Sequence, residues 1–183
     1  MKHIEIEYKM LLSKEEYQRL LENIQDKAVC IKQSNIYLDR VDKPLYLDGQ
    51  ALRVRIENDC AYELTLKTKR EHDNLEENIS LSDAEYKLFL EDPNQIVKRY
   101  FPDIGDIKIL GQLDNIRYQW QDNGLFALDQ SSYFDCIDYE IEYEANDYES
   151  KAVLIDFLNL YKIDFKENKE TKIQRFSQAL LKQ

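Results

Sequence analysis

Glu5-Ile6-Glu7-Tyr8-Lys9 sets two carboxylates and an ammonium at every second position, with apolar or aromatic residues between them. A strand turns successive side chains to opposite faces, so Glu5, Glu7 and Lys9 share one face and Ile4, Ile6 and Tyr8 the other. Two acids on one face can hold a divalent metal. A lysine beside them can hold an anion or serve a proton transfer. One strand of this kind means little; the same alternation returns along the chain, in basic and acidic versions.

Working outward, alternating segments recur at Lys2–Leu12, Val29–Arg40, Ala51–Asn58, Ala61–Lys69, Leu75–Leu81, Gln112–Gln121, Leu125–Tyr133 and Ile137–Glu144. That spacing predicts about eight strands, rich in Tyr, Ile, Val and Leu. Asn58-Asp59 and Asp122-Asn123-Gly124 read as tight hairpin turns and so as antiparallel neighbours. Helices interrupt the strands. Ser13-Lys14-Glu15-Glu16 and Ser82-Asp83-Ala84-Glu85 have capping-box form, and Asp92-Pro93 should end the second helix. Further helices are predicted from about Asn94 to Tyr100, opening at Asn146 to Glu149 with Val153, Leu154, Phe157, Leu158 and Tyr161 on one face, and at the C-terminus with Ile173, Phe176 and Leu180. Their apolar stripes need a cover. Leu52/Val54/Ile56, Leu64/Leu66, Ile116/Tyr118/Trp120 and Tyr139/Ile141/Tyr143 supply apolar strand faces for it. Two arrangements satisfy the pattern: an open sheet whose charged face is wet, which is the commoner outcome, and a sheet closed on itself with the charges inside.

Composition narrows the class. At 183 residues, 33% charged and 43% hydrophobic, the chain reads as one globular domain, 1–183. A net charge of −11 argues against a general nucleic-acid or anionic-membrane binder, while leaving room for a buried basic site. Cys30, Cys60 and Cys136 are odd in number and widely spaced, which fits a reducing compartment and no zinc site. No leader and no apolar run of membrane-spanning length is read, and the expected location is the cytoplasm. His3 and His72 are read as surface residues. No Walker-type lysine loop, GxGxxG or GxSxG is present.

The charges fall into two sets. Arg53 and Arg55 share a face, as do Thr65, Lys67 and Lys69, and Arg117 lies between Ile116 and Tyr118. Cations at alternate positions on consecutive strands should repel across a sheet, and an anion among them would relieve that. Arginine forks and lysine point charges suit phosphate oxygens. The acids are Glu5 and Glu7, Asp129, and the run Asp138, Glu140, Glu142, Glu144. Such an oxygen-rich set suits Mg²⁺ or Mn²⁺ and not Zn²⁺. Asp138 and Glu144, near the strand ends, are read as ordinary exposed acids.

These residues resemble a known family. Glu5-x-Glu7-x-Lys9 is similar to the ExExK signature of the CYTH superfamily, the triphosphate tunnel metalloenzymes. Asn35-Ile36-Tyr37-Leu38-Asp39 resembles its YxD strand, Ala51-Leu52-Arg53-Val54-Arg55 its LRxR strand, and Leu64-Thr65-Leu66-Lys67 its LTLK strand. Arg117, Leu128-Asp129 and Glu140-x-Glu142 match its late basic and acidic positions, and Thr171-Lys172-Ile173-Gln174-Arg175-Phe176 its C-terminal lysine–arginine element. Glu76 and Glu77 both compete for a fifth-strand acidic position. The resemblance covers nearly the whole chain, which reads as a short, stand-alone bacterial member.

The resemblance implies an α+β fold: a closed eight-stranded antiparallel β-barrel forming a tunnel, helices outside, charged faces inward. It implies a Mg²⁺- or Mn²⁺-dependent triphosphatase acting on inorganic triphosphate or an organic or nucleoside triphosphate. On that footing Arg53, Arg55, Lys67, Lys69, Arg117, Lys172 and Arg175 bind substrate. Glu5, Glu7, Asp129, Glu140 and Glu142 hold metal, and Glu5, Glu7 and Lys9 carry the chemistry. An adenylate cyclase in the same fold and a non-catalytic nucleotide- or polyphosphate-binding module stand beside this reading, and the same charges serve hydrolysis and cyclisation equally. The expected partner is a small-molecule triphosphate, not nucleic acid or membrane, on a monomer or a homodimer.

Overall fold

The computed structural model describes residues 2–71 and 73–183, with His3 described by its backbone alone, so the surface expectations for His3 and His72 lie outside the described residues. In chain order the elements are β1 (Lys2–Leu12), α1 (Lys14–Ile24), β2 (Val29–Arg40), β3 (Gln50–Glu57), β4 (Ala61–Lys69), β5 (Asn74–Leu81), α2 (Asp83–Glu91), α3 (Pro93–Tyr100), β6 (Ile107–Gln121), β7 (Gly124–Tyr133), β8 (Cys136–Ala145), α4 (Lys151–Leu160) and α5 (Lys172–Leu180). The sheet closes in the order β1-β5-β4-β3-β2-β6-β7-β8. The fold is a closed eight-stranded antiparallel barrel with helices, so the open, wet-faced sheet is excluded.

The chain forms two compact units. The first comprises Met1–Ile4 and Gln33–Leu113. Here β3 pairs with β2 and β4, and β4 with β5; the register sets Leu52 opposite Leu38 and Leu66, and Val54 opposite Ile36 and Leu64. Those apolar residues form one core with Phe89 of α2 and Ile96 and Val97 of α3. α2 starts on a Ser82–Glu85 capping box and stops at Asp92. Pro93 has no N–H to continue the helix, and the Asp92 side chain caps α3 instead.

The second unit comprises Glu5–Lys32 and Asp114–Gln183. Its core joins Met10, Leu12, Leu128, Ile141 and Tyr143 of the strands to Tyr17, Leu20 and Ile24 of α1 and Leu154, Phe157 and Leu158 of α4. α1 and α5 both start on capping boxes, Ser13–Glu16 and Thr171–Gln174.

The hairpins follow local chemistry. Asn58 and Asp59 both have positive φ, 49° and 59°, which suits a two-residue turn twisted like its strands. At Gly124, φ is 149° and a Cβ would lie 2.5 Å from Tyr143 Cε2, so no side chain fits. The Phe134-Asp135 turn carries no such signal; Phe134 takes φ 49° between Tyr133 and Phe176 rings. Two boundaries differ from expectation by more than one residue. β6 begins at Ile107 rather than Gln112, because Gly111, at φ 146°, carries the strand onward instead of ending it. α4 begins at Lys151 rather than within 146–149, because the Asp147 side chain accepts the Glu149 and Ser150 N–H groups (both 2.9 Å) in a turn.

Candidate active site

In the first unit the face opposite the apolar core carries the basic set. Pairing puts Arg55 opposite Asn35 and Glu63, Arg53 opposite Tyr37 and Thr65, and Lys67 opposite Glu76. Arg55 and Lys67 therefore each face an acid or an amide, and Arg53 faces two hydroxyl residues. In this register no cation stands directly opposite another, so the expected repulsion is confined to diagonal neighbours such as Arg53 and Lys67. Arg55 Nε donates to Asn35 Oδ1 (3.0 Å), and Lys67 Nζ lies 3.2 Å from Glu76 Oε1. Burial would raise the Glu76 carboxyl, but Lys67 and Arg53 outweigh it and hold it below the usual range. The register places Glu76 on this face, while Glu77 stands opposite Leu66 and pairs with Lys2 (2.7 Å). Arg53 differs from its neighbours: its Nε is buried with no hydrogen-bond acceptor among the described residues. Lys69 is exposed at the end of β4.

In the second unit the face opposite the core gathers acids and cations. Arg117 takes Asp129 side-on, Nε to Oδ1 at 2.9 Å and Nη2 to Oδ2 at 2.7 Å, and also reaches Glu142. Asp129 Oδ1 accepts from Asn115 (3.1 Å), which accepts from the Ser131 hydroxyl (3.0 Å). On β1, Lys9 Nζ lies 3.0 Å from Glu7 Oε1, and Lys9 pairs in register with Glu142. The Thr171 cap starts α5 so that Lys172 and Arg175, three residues apart, share a face. Lys172 Nζ sits among three carboxylates: Asp129 Oδ2 (2.9 Å), Glu140 Oε2 (3.1 Å) and Glu142 Oε1. Arg175 donates to Asp138 Oδ2 (2.7 Å) and Glu140 Oε2 (2.6 Å).

Burial would raise the carboxyls of Asp129 and Glu142. Arg117 and Lys172 hold both down, Lys9 adds to the effect at Glu142, and Glu142 lies well below the usual range. Burial would likewise lower Lys172, yet Asp129, Glu140 and Glu142 hold its ammonium charged far above the usual lysine range.

Among the described residues no three His, Cys, Asp or Glu side chains stand together as a ready metal centre; the point on which Asp129, Glu140 and Glu142 converge is held by the Lys172 ammonium. The residues nonetheless fit a hard divalent cation. The donors are carboxylate oxygens. Among the described residues, seven acids (Glu5, Glu7, Asp129, Asp138, Glu140, Glu142, Glu144) share this face with four cations (Lys9, Arg117, Lys172, Arg175). Glu140 Oε1 is buried with no hydrogen-bond donor among the described residues.

One sequence expectation is overturned here. Asp138 is no ordinary exposed acid: it is half-buried and accepts from both Tyr133 Oη (2.6 Å) and Arg175 Nε. Glu144 is half-buried opposite Glu7. Reading from the residues gave no role to Asn35 and missed Asn115 and Ser131, all buried polar residues on these faces. Strand parity carries the signal for them, since Asn115 stands two before Arg117 and Ser131 two after Asp129.

The CYTH domain family matches this chain over residues 3–177. A Bacillus subtilis (strain 168) protein named "Putative triphosphatase YjbK" is 33% identical over 180 residues, covering 94% of each chain. The crystal structure of a "putative adenylate cyclase" from Bacillus halodurans is 33% identical, covers 96% of this chain and 98% of its own, and superposes with a TM-score of 0.81. The Hippeastrum protein HpAC1 is 22% identical, covers 98% of this chain and 96% of its own, and superposes at 0.80; at that identity the likeness is one of fold. The chain belongs to the CYTH domain family.

Proposed function

We propose that the protein hydrolyses a triphosphate, inorganic or nucleoside, with Mg²⁺ or Mn²⁺, as one catalytic domain in the cytoplasm. The observation that carries this reading is a pair of unmet needs among buried charged atoms: Arg53 Nε has no acceptor and Glu140 Oε1 no donor among the described residues. An anion answers the first and a cation the second. The kinship with the B. subtilis protein, named for triphosphatase activity, points the same way.

In this reading Arg53, Arg55, Lys67, Lys69, Arg117, Lys172 and Arg175 bind phosphate oxygens and stabilise the charge that develops on them in the transition state. Glu5, Glu7, Glu140 and Glu142, with Asp129, hold the cation. A divalent ion held there would supply Lewis-acid stabilisation of phosphate charge and a more acidic water. Lys9, beside Glu7, holds a phosphate oxygen or a proton in transit. Where Lys172 now neutralises three carboxylates, its release toward phosphate would free their oxygens for the ion.

The B. halodurans relative, named for cyclase activity, favours a second reading in which a substrate ribose hydroxyl replaces water and cyclic AMP with pyrophosphate is released. The purified protein should be given inorganic triphosphate and ATP, each with Mg²⁺, Mn²⁺ or excess chelator, while phosphate and cyclic AMP are both followed. Metal-dependent phosphate release without cyclic AMP is expected. Cyclic AMP as the main product would move the protein to the second reading. Binding without turnover under every condition would refute both.

A further inference from the structure

Two arginines on the acidic face are held in different ways. The Nε and Nη2 atoms of an arginine form a side-on fork that matches the two oxygens of one carboxylate. Arg117 uses its fork in that way, on both oxygens of Asp129. Arg175 does not. Its Nε goes to Asp138 Oδ2 (2.7 Å) and its Nη2 to Glu140 Oε2 (2.6 Å), so the fork is divided between two carboxylates two residues apart on β8. The third corner, Nη1, donates to the Glu170 carbonyl (3.1 Å), so the guanidinium is fixed in its plane.

Asp138 is itself fixed. Tyr133, 6% exposed and packed on Phe176, donates its hydroxyl to Asp138 Oδ2 at 2.6 Å, the same oxygen that takes Arg175 Nε. The consequence falls on Glu140. Its Oε2 serves both Arg175 and Lys172, while its buried Oε1 has no donor among the described residues. An Arg175 released from Asp138 could close its fork on both Glu140 oxygens, as Arg117 does on Asp129.

We propose that Asp138, oriented by Tyr133, is a positioning residue that divides the Arg175 fork, so that Arg175 occupies one oxygen of Glu140 and leaves the other for a divalent cation. The inference rests on the metal-dependent reading above and adds residues that reading does not use. Neither Asp138 nor Tyr133 touches the cation; each acts through Arg175. Outer-shell partners of this kind cost about 10–100-fold in metal affinity when lost.

The test is Mn²⁺ binding to the whole protein without substrate, followed by the electron paramagnetic resonance of the free ion. Asp138→Ala should weaken binding by about tenfold or more, with Asp138→Asn, which keeps an acceptor, in between. Tyr133→Phe keeps the ring on Phe176 and removes only the hydroxyl. It should weaken binding by a smaller factor alone and by nothing further in the Asp138→Ala background, since the two act in series. In turnover, the Mn²⁺ concentration for half-activity should rise while the rate at saturating Mn²⁺ is kept. If Asp138→Ala fails to fold, Tyr133→Phe carries the test alone. Lower melting temperatures with unchanged Mn²⁺ affinity would overturn the inference and leave Asp138 a structural residue. A wild type that binds no Mn²⁺ would instead overturn the metal-dependent reading itself.

Discussion

Lys172→Met tests whether the acidic face is held together by charge from α5. The Lys172 side chain is 13% exposed, and its Nζ lies 2.9 Å from Asp129 and 3.1 Å from Glu140 while also contacting Glu142. Removing one partner of a buried ion pair costs about 3–5 kcal/mol, because the other is left charged and dry. Here the loss belongs at the low end, about 3 kcal/mol, since Arg117 still holds Asp129 and Glu142 and Arg175 still holds Glu140. A chain of this size shifts by about 2–4 °C per kcal/mol, so Lys172→Met should melt about 6–12 °C below wild type in excess chelator. Met is close in volume, which keeps the packing. Lys172→Arg, which keeps the charge, should recover much of the loss. Thermal melts with and without Mn²⁺ supply the second reading. An ion that takes up the freed carboxylates should raise the variant's melting temperature more than the wild type's. A variant that melts with the wild type in chelator would refute the reasoning, because three desolvated carboxylates cannot lose their shared cation at no cost.

Other outcomes follow from the same geometry. Glu7→Gln keeps the shape and removes one charge; turnover should fall by at least about 100-fold, and unchanged turnover would remove Glu7 from the site. Arg53→Ala should weaken triphosphate binding with only a small loss of melting temperature, since Arg53 Nε makes no hydrogen bond to lose and Lys67 still holds Glu76. At about 100 times the dissociation constant, triphosphate should stabilise the wild type by about 2.7 kcal/mol and the variant much less. The acidic face also sets a pH window. Glu142 is depressed well below 4.5, so its contribution is complete above pH 4.5 and is lost as the pH falls toward its folded value; Lys172 is raised well above 10.5, so its contribution is complete below pH 10.5 and is lost above it. Melting temperatures that rise below pH 4.5 would contradict that assignment.

Much of this was legible from residue order because a strand has a strict period. Parity alone put Glu5, Glu7 and Lys9 together, and likewise Glu140 and Glu142. Capping boxes at Ser13 and Ser82 fixed two helix starts for equally local reasons. Closure was not legible in this way, since an alternating strand looks the same in an open sheet and in a barrel. Nor was register. Arg53 and Lys67 share a face by parity, but only pairing shows that Glu76, not another cation, stands opposite Lys67. Asp138 was misjudged for a related reason: its partner Arg175 lies 37 residues on, and its other partner, Tyr133, sits across a hairpin with no turn signature.

The charge count on the acidic face bears on why such a face exists at all. Buried ion pairs are poor stabilisers, and apolar residues of similar volume commonly replace them at no loss. Among the described residues, this protein keeps eleven charged groups on one face of the second unit, with acids in excess by three. Selection for stability alone would have thinned that set or balanced it. A face left short of positive charge, next to a lysine that three carboxylates share, is instead suited to exchange. On the proposed function, the lysine would neutralise the acids while no ion is bound and turn to phosphate once an ion took its place. On this argument the excess of acid and the mobility required of Lys172 are one feature, and the Lys172→Met melts with and without Mn²⁺ examine both together.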